Sequence, residues 1–274
     1  SLIAAPPTSE STPMNQALWI SKTGLQAQEA RLQTISNNLA NVNTVGFKRD
    51  RAMFEDLFYR VEQQPGAQLN DANLSGGVQL GNGTRLVGTQ KVFTTGNLLP
   101  SGGQLDLAIV GDGFLQVELP NGEIGYTRAG QLRPDQDGNL TTAQGLPIVP
   151  AITIPQNATE VTIGENGVVT VTTSDSVNAT EVGQLLLAGF VNPGGLLAVG
   201  DNLYRETVAS GAPSEGQPGL EGLGKLKQYA LEGSNVQAVE EMVEMIAAQR
   251  TYEMNTKVLT AADNMMQQLA QAAR

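Results

Sequence analysis

The sequence predicts an α+β fold in which long N- and C-terminal helices pair as a coiled coil and flank a central, mostly antiparallel β domain. Three observations carry this expectation. Leucines recur at heptad spacing near the start of the chain. A second long stretch free of glycine and proline closes it. The sequence between them is rich in glycine, threonine, valine and hairpin-forming turn pairs.

From Met14 to about Asn43 there is neither proline nor a turn pair. Leu18, Leu25, Leu32 and Leu39 recur every seven residues, and Ser21, Gln28, Ile35 and Val42 follow three residues after each. This is an a/d seam with small or polar residues at half of its second positions. Gly46, after the asparagine-rich Asn37, Asn38, Asn41 and Asn43, is a helix stop signal. Helix and linker together are expected over 14–62. The basic run Lys48, Arg49, Arg51 is broken by Asp50 and reads as a solvated linker. Residues 1–13 lack the basic flank and apolar run of a secretory signal, so they read as a disordered extension or expression remnant. Any export is therefore expected to proceed without a cleaved signal peptide.

At the other end Ser234 and Gln237 have capping-box spacing, which places a helix over 233–274. Val239, Val243, Ile246, Met254, Val258, Ala261, Met265 and Leu269 trace one apolar stripe, interrupted at Arg250 and Thr251. A helix of roughly 38 residues would be about 57 Å long and must pack against something equally long. An isolated pair of such helices, with Ser21 and Gln28 in the seam, would be marginal in water, so neighbouring copies are expected to complete the packing.

The β domain is expected over 84–232 as an antiparallel sandwich or barrel. Asn121-Gly122, Asp137-Gly138, Asn166-Gly167 and Pro193-Gly194 are its turn pairs. Leu115, Val117 and Leu119 alternate with Gln116 and Glu118 as a half-buried strand would, and Leu105, Leu107 and Ile109 alternate likewise. Gln63–Gly83 and Ser210–Gly224 read as loops.

The chemistry is bounded by what the chain lacks. It has no cysteine and no histidine, which removes disulfides, thiolate nucleophiles, the usual zinc ligands and every Ser-His triad. A net charge of −11 argues against nucleic acid. The longest apolar run, Leu185–Val191, is too short to span a membrane. Lys22-Thr23-Gly24 lies inside the heptad helix, without the Ser-x-x-Lys of a β-lactamase. Asp135, Asp137 and Asn139 open like a calcium loop, but the glycine falls too early and Leu146 stands where glutamate is needed, so a tight turn is expected. Gly111-Asp112-Gly113 and Gly76–Gly83 have no following Gly-Lys-Ser/Thr. No cofactor and no catalysis are expected. A carboxylate-using β hydrolase is the alternative from another class, and it would need two acidic side chains converging on a cleft.

The segments SKTGLQAQEARLQTISNNLANVNTVGFKRDRAMFEDL (21–57), IVGDGFLQVELPNGEIGYTRAGQLRPDQDGNL (109–140) and LEGSNVQAVEEMVEMIAAQRTYEMNTKVLTAADNMMQQL (231–269) resemble, in that order, the N-terminal, β-domain and C-terminal signatures of bacterial flagellar rod and hook axial proteins. Residues 54–85, with QPGAQ at 64–68, and 151–171 resemble the distal-rod type; hook and proximal-rod subunits are the alternatives within the family. The resemblance implies a structural subunit that polymerises with itself into a stiff hollow helical shaft. That shaft would run from periplasm to outer membrane in the flagellar basal body, transmit motor torque and enclose the export channel. Proximal rod and hook subunits would meet its ends, bushing rings would surround it, and neither nucleic acid nor membrane insertion is implied. The assembly interface would use Leu18, Leu25, Leu32, Ile35, Asn38, Leu39, Val42, Val239, Val243, Ile246, Met254, Val258, Met265 and Leu269. A rod-type segment, 63–83, carries Gln64, Pro65, Gly66, Gly76 and Gly77 and is expected to order across a neighbouring copy.

Overall fold

In the computed structural model, which describes residues 13–63, 68–69, 72–73, 78–174 and 176–272, the first helix, α1, runs Pro13–Ala40. Proline suits its first turn, where the backbone N–H would have no partner inside the helix. The helix stops short of the expected Asn43. The N–H groups of Asn41 and Val42 fold back onto the carbonyls of Asn38 and Leu39 at 3.1 and 3.3 Å, which tightens the last turn. Asn38 holds that turn from inside: its amide donates to the Asp50 carbonyl at 2.9 Å and accepts the Asp50 N–H at 2.8 Å. Gly46 then takes a left-handed conformation at φ 72°.

The last helix, α2, spans Ala238–Ala272, 35 residues and about 52 Å at the usual rise. It opens four residues later than the capping box proposed. The Ser234 hydroxyl accepts the Val236 N–H at 3.2 Å and closes a local turn instead. Glu240 and Glu241 occupy the first turn of α2, where the helix dipole favours negative charge.

Between the helices the chain is β. Strand Asp50–Asp56 pairs with Thr84–Lys91, and Arg60–Gln63 pairs antiparallel with Val78–Leu80. The largest sheet has seven strands, all pairings antiparallel. Six run in the order Leu197–Gly200, Leu203–Arg205, Ile124–Thr127, Phe114–Glu118, Leu187–Gly189, Ser214–Gly216, and Ile148–Val149 also pairs with Phe114–Glu118. Ala158–Ile163, Val168–Thr173 and Ser176–Gln184 form a three-stranded antiparallel sheet, and Lys225–Gln228 pairs with Leu107–Val110. Three of the four turn pairs close hairpins. Asn121-Gly122 sets the register Glu118 to Ile124, with Gly122 at φ 80°. Asp137-Gly138 and Asn166-Gly167 connect their own strand pairs, while Pro193–Gly195 forms a 3-10 turn.

Strand Phe114–Glu118 shows how the sheet is covered. Leu115 and Val117 point into an aliphatic core with Leu107, Ile109, Leu140, Ile148, Val169, Leu187 and Leu226. Phe114 lies on the opposite face with Tyr126 and Tyr204. There Phe93, Phe114, Tyr126, Phe190 and Tyr204 meet edge to face, with ring centroids 4.8 to 5.9 Å apart. The strand is therefore buried on both faces, Gln116 included, rather than half-buried as its alternation suggested. Leu107, Ala108 and Ile109 are buried in succession for the same reason.

The described residues divide into two compact units. One takes α1 up to Asn37, the ribbon Ala52–Thr89 and α2 from Val239. The other takes Asn38–Arg51 and Gln90–Ala238. No helix among the described residues is long and apolar enough to cross a membrane.

Candidate assembly surface

Within the β unit, Glu232 stands at the end of strand Ala230–Glu232 and is fully buried. Its Oε1 accepts from Lys48 Nζ at 2.7 Å and from the Gly96 N–H at 3.0 Å, while its Oε2 lies 3.0 Å from Arg128 Nε. Lys48 also donates to the Thr94 carbonyl at 2.7 Å, and the Gly46 N–H donates to the Glu232 carbonyl at 2.7 Å. Asn235 completes the node: its amide donates to Val92 O at 2.8 Å and accepts the Arg49 N–H at 2.8 Å. Burial, and after it the Arg128 charge, holds the Lys48 ammonium below its ordinary pKa, and Glu232 opposes that shift. The solvated-linker reading of Lys48, Arg49 and Arg51 is thus corrected at Lys48, while Arg51 is exposed. The linker is the centre of a buried ionic node, and its anion lies 184 positions away in sequence.

In the helical unit, α1 and α2 run antiparallel. Arg31 Nη2 meets Glu244 Oε2 at 3.4 Å, and one stretch earlier on α1 a Cβ at Gly24 would sit 3.2 Å from the Asn255 amide. The face of α2 turned inward carries Glu241, Ala248 and Ala262, all buried, with Asn255 and Leu259 partly covered. On α1 the buried positions are Ser21, Thr23, Ala27, Ile35 and Asn38, with Leu18, Leu25, Leu32 and Leu39 half-buried, as is Val42 in the turn after it. Ile35 and Asn38 are therefore used inside the subunit.

The expected stripe on α2 lies elsewhere. At about 100° per residue, Val239, Val243, Ile246 and Met254 fall opposite Ala248, and they are exposed, Val243 by 62% and Met254 by 57%. Val258 and Met265 are exposed too. Leu269 lies on α2. Gln64, Pro65, Gly66, Gly76 and Gly77, like residues 1–12, lie outside the described residues.

Sequence reasoning missed two further features. The ribbon of Asp50–Asp56 and Thr84–Lys91, with the turn residues after it, exposes Met53, Phe54, Phe58, Tyr59, Leu86 and Val87, with Phe58 92% exposed. The signal was present as apolar residues on both faces of a strand without a second sheet to cover them. Trp19 is 54% exposed and lines a groove of about 550 Å³ between α1 and α2.

The hydrolase alternative needs a cleft with two available carboxylates. One cleft of about 540 Å³ has Asp106 and Asp135 in its lining. Asp135 accepts from the Asn139 N–H at 2.8 Å, the Asp137 N–H at 2.9 Å and the Asn139 amide at 3.3 Å, the tight turn expected of this segment. The backbone bond from Asn139 above all holds its carboxyl below the usual range, the opposite of what a general acid needs. Asp106 takes the Ser101 hydroxyl as donor. No cluster of three metal-ligating side chains occurs among the described residues.

The chain was compared with known proteins. Residues 18–48 match the flagella basal body rod protein family, 108–171 the flagellar hook protein FlgE/F/G D1 domain, and 227–272 the flagellar basal body rod FlgEFG protein C-terminal family. The flagellar basal-body rod protein FlgG of Buchnera aphidicola subsp. Schizaphis graminum is 49% identical over 259 residues, covering 94% of this chain and 100% of that protein. The chain belongs to the flagellar basal-body rod protein family. Two rod proteins of Caulobacter vibrioides rank its likeness within that family. FlgG is 45% identical over 258 residues, covering 93% of this chain and 98% of its own. FlgF is 36% identical over 253 residues, covering 90% and 93%. In this rod-family chain the two terminal matches carry α1 and α2, and the third begins one residue into strand Leu107–Val110.

Proposed function

We propose that the chain is the structural subunit of the flagellar distal rod, polymerising helically into a stiff hollow shaft that carries torque from motor to hook and encloses the export channel. One observation carries the polymer: on the face turned to α1 the helix α2 buries Ala248 and Ala262 together with Glu241, and on the opposite face it exposes the apolar stripe Val239, Val243, Ile246 and Met254. A contiguous apolar stripe left in water marks a contact surface, and α1 covers only the other side of the helix. Copies of the same chain cover the stripe. The higher identity to FlgG than to FlgF of one organism favours the distal-rod subunit over a second rod protein.

In this reading α1 and α2 pair as a coiled coil and form the inner tube with their neighbours, using Leu18, Leu25, Leu32, Leu39, Val42, Val239, Val243, Ile246, Met254, Val258, Met265 and Leu269. The β unit forms the wall. The ribbon with Phe54, Phe58 and Tyr59, continued by residues 63–83, lies across adjacent copies and resists sliding. Proximal rod and hook subunits meet the shaft's ends, and bushing rings surround it between periplasm and outer membrane. It needs no cofactor and catalyses nothing.

Electron microscopy of the purified, concentrated protein tests the proposal. Straight hollow tubes are expected; curved tubes would mean a hook-type subunit, and dispersed globules at every concentration would refute self-assembly.

A further inference from the structure

The helical unit carries two apolar surfaces that differ in shape. One is the groove, rimmed by Lys22 and Asp263 and floored by Leu18, Trp19, Leu25 and Leu259. Lys22 Nζ lies 5.4 Å from the Trp19 ring centroid, a cation–π contact between two residues that line the groove. The other is the convex stripe on the far side of α2. Symmetry decides how such surfaces combine. A stripe packed on the stripe of a second copy makes a two-fold contact and closes as a dimer, whereas a stripe packed in a groove leaves a stripe and a groove free and propagates.

Charge selects the register. Glu253 and Lys257 flank Met254 and Val258 on the stripe, one turn apart on the same helix surface. Lys22, Asp263, Glu253 and Lys257 carry no ion pair among the described residues. The groove thus offers a cation and an anion, the stripe offers an anion and a cation, and a methionine thioether beside the latter pair suits an indole surface.

We propose that the turn Met254 to Val258 of one copy seats in the Trp19 groove of the next, with Glu253 meeting Lys22 and Lys257 meeting Asp263. This contact rests on the polymer reading above and names the surfaces through which it propagates.

The chain's lack of cysteine allows a direct test with two single-cysteine variants, Lys22→Cys and Glu253→Cys. Mixed, concentrated to form tubes and oxidised, they are expected to join as a dimer of one variant with the other, and neither alone is expected to link. Tubes that form without this link, or a variant that links to itself, overturn the contact and leave the polymer standing. Failure of the parent protein to form tubes overturns both. A charge exchange gives a second arm. Lys22→Glu alone and Glu253→Lys alone should each raise the concentration needed for tubes about fivefold, with circular dichroism unchanged. The double variant should return it to the parent value, and a double variant as impaired as the two singles together overturns the pairing.

Discussion

Among the described residues Glu232 is the anion that pairs with both buried cations, Lys48 and Arg128, so its loss and theirs should not weigh equally. Glu232→Ala leaves two uncompensated charges in the interior and is expected to cost about 3–5 kcal/mol in urea unfolding. Lys48→Met leaves Arg128 paired with Glu232 and loses chiefly the bonds to Thr94 O and Glu232, about 1–3 kcal/mol. Burial also governs the tyrosines. It pushes the Tyr126 phenol up to about 12, with Glu206 and Glu215 adding to it. Tyr204 rises further, again chiefly through burial, with Asp50 adding. Both hold their protons in the fold beyond the ordinary value of about 10. Their contribution to stability is whole below that value and is lost as pH climbs through the folded values. Spectrophotometric titration should find two phenols that ionise only near and above about 12, joining the rest once the protein is unfolded.

At the scale of elements, the proposed assembly gives the two faces of α2 different work: one packs on α1 and the other would meet a neighbouring copy. Val243 is already exposed in the single subunit, so Val243→Asp should keep the circular dichroism spectrum and abolish tubes, since a charge enters the dry contact at a cost of several kcal/mol. Leu32 is half-buried, so Leu32→Asp should weaken the fold and the polymer together. The crossover after α1 has its own weak point. A Cβ at Gly46 would lie 2.9 Å from the backbone of Arg128 and Ala129, at a φ that disfavours side chains. Gly46→Ala should therefore cost about 2 kcal/mol or more. The element types were readable from heptads and turn pairs, but their ends were not. Asn38 and Ser234 stop or delay the helices through side-chain bonds whose partners no local pattern reveals.

For the whole molecule, the ribbon is a second apolar surface that the proposed polymer would cover. Phe54 on strand Asp50–Asp56, and Phe58 and Tyr59 in the segment that follows it, are exposed among the described residues. If neighbours cover them and the 63–83 segment continues that contact, removing residues 63–83 should give curved or flexible tubes by electron microscopy. Tubes as straight as the parent's would show that the segment has no mechanical part.

The sequence by itself determined the helix–β–helix order, the hairpins at Asn121-Gly122, Asp137-Gly138 and Asn166-Gly167, the exclusion of thiol and imidazole chemistry, and the family. Each rests on local periodicity, on turn residues with restricted φ, or on the presence or lack of a residue type. Only the tertiary structure decided that Lys48 is buried, that Gln116 faces a covered side of its sheet, and that the stripe of Val243 and Met254 points away from α1 rather than into it. Those outcomes depend on which distant segments arrive at a given face. A strand or helix pattern records that a face is apolar, but not whether the chain's own elements or another copy will cover it.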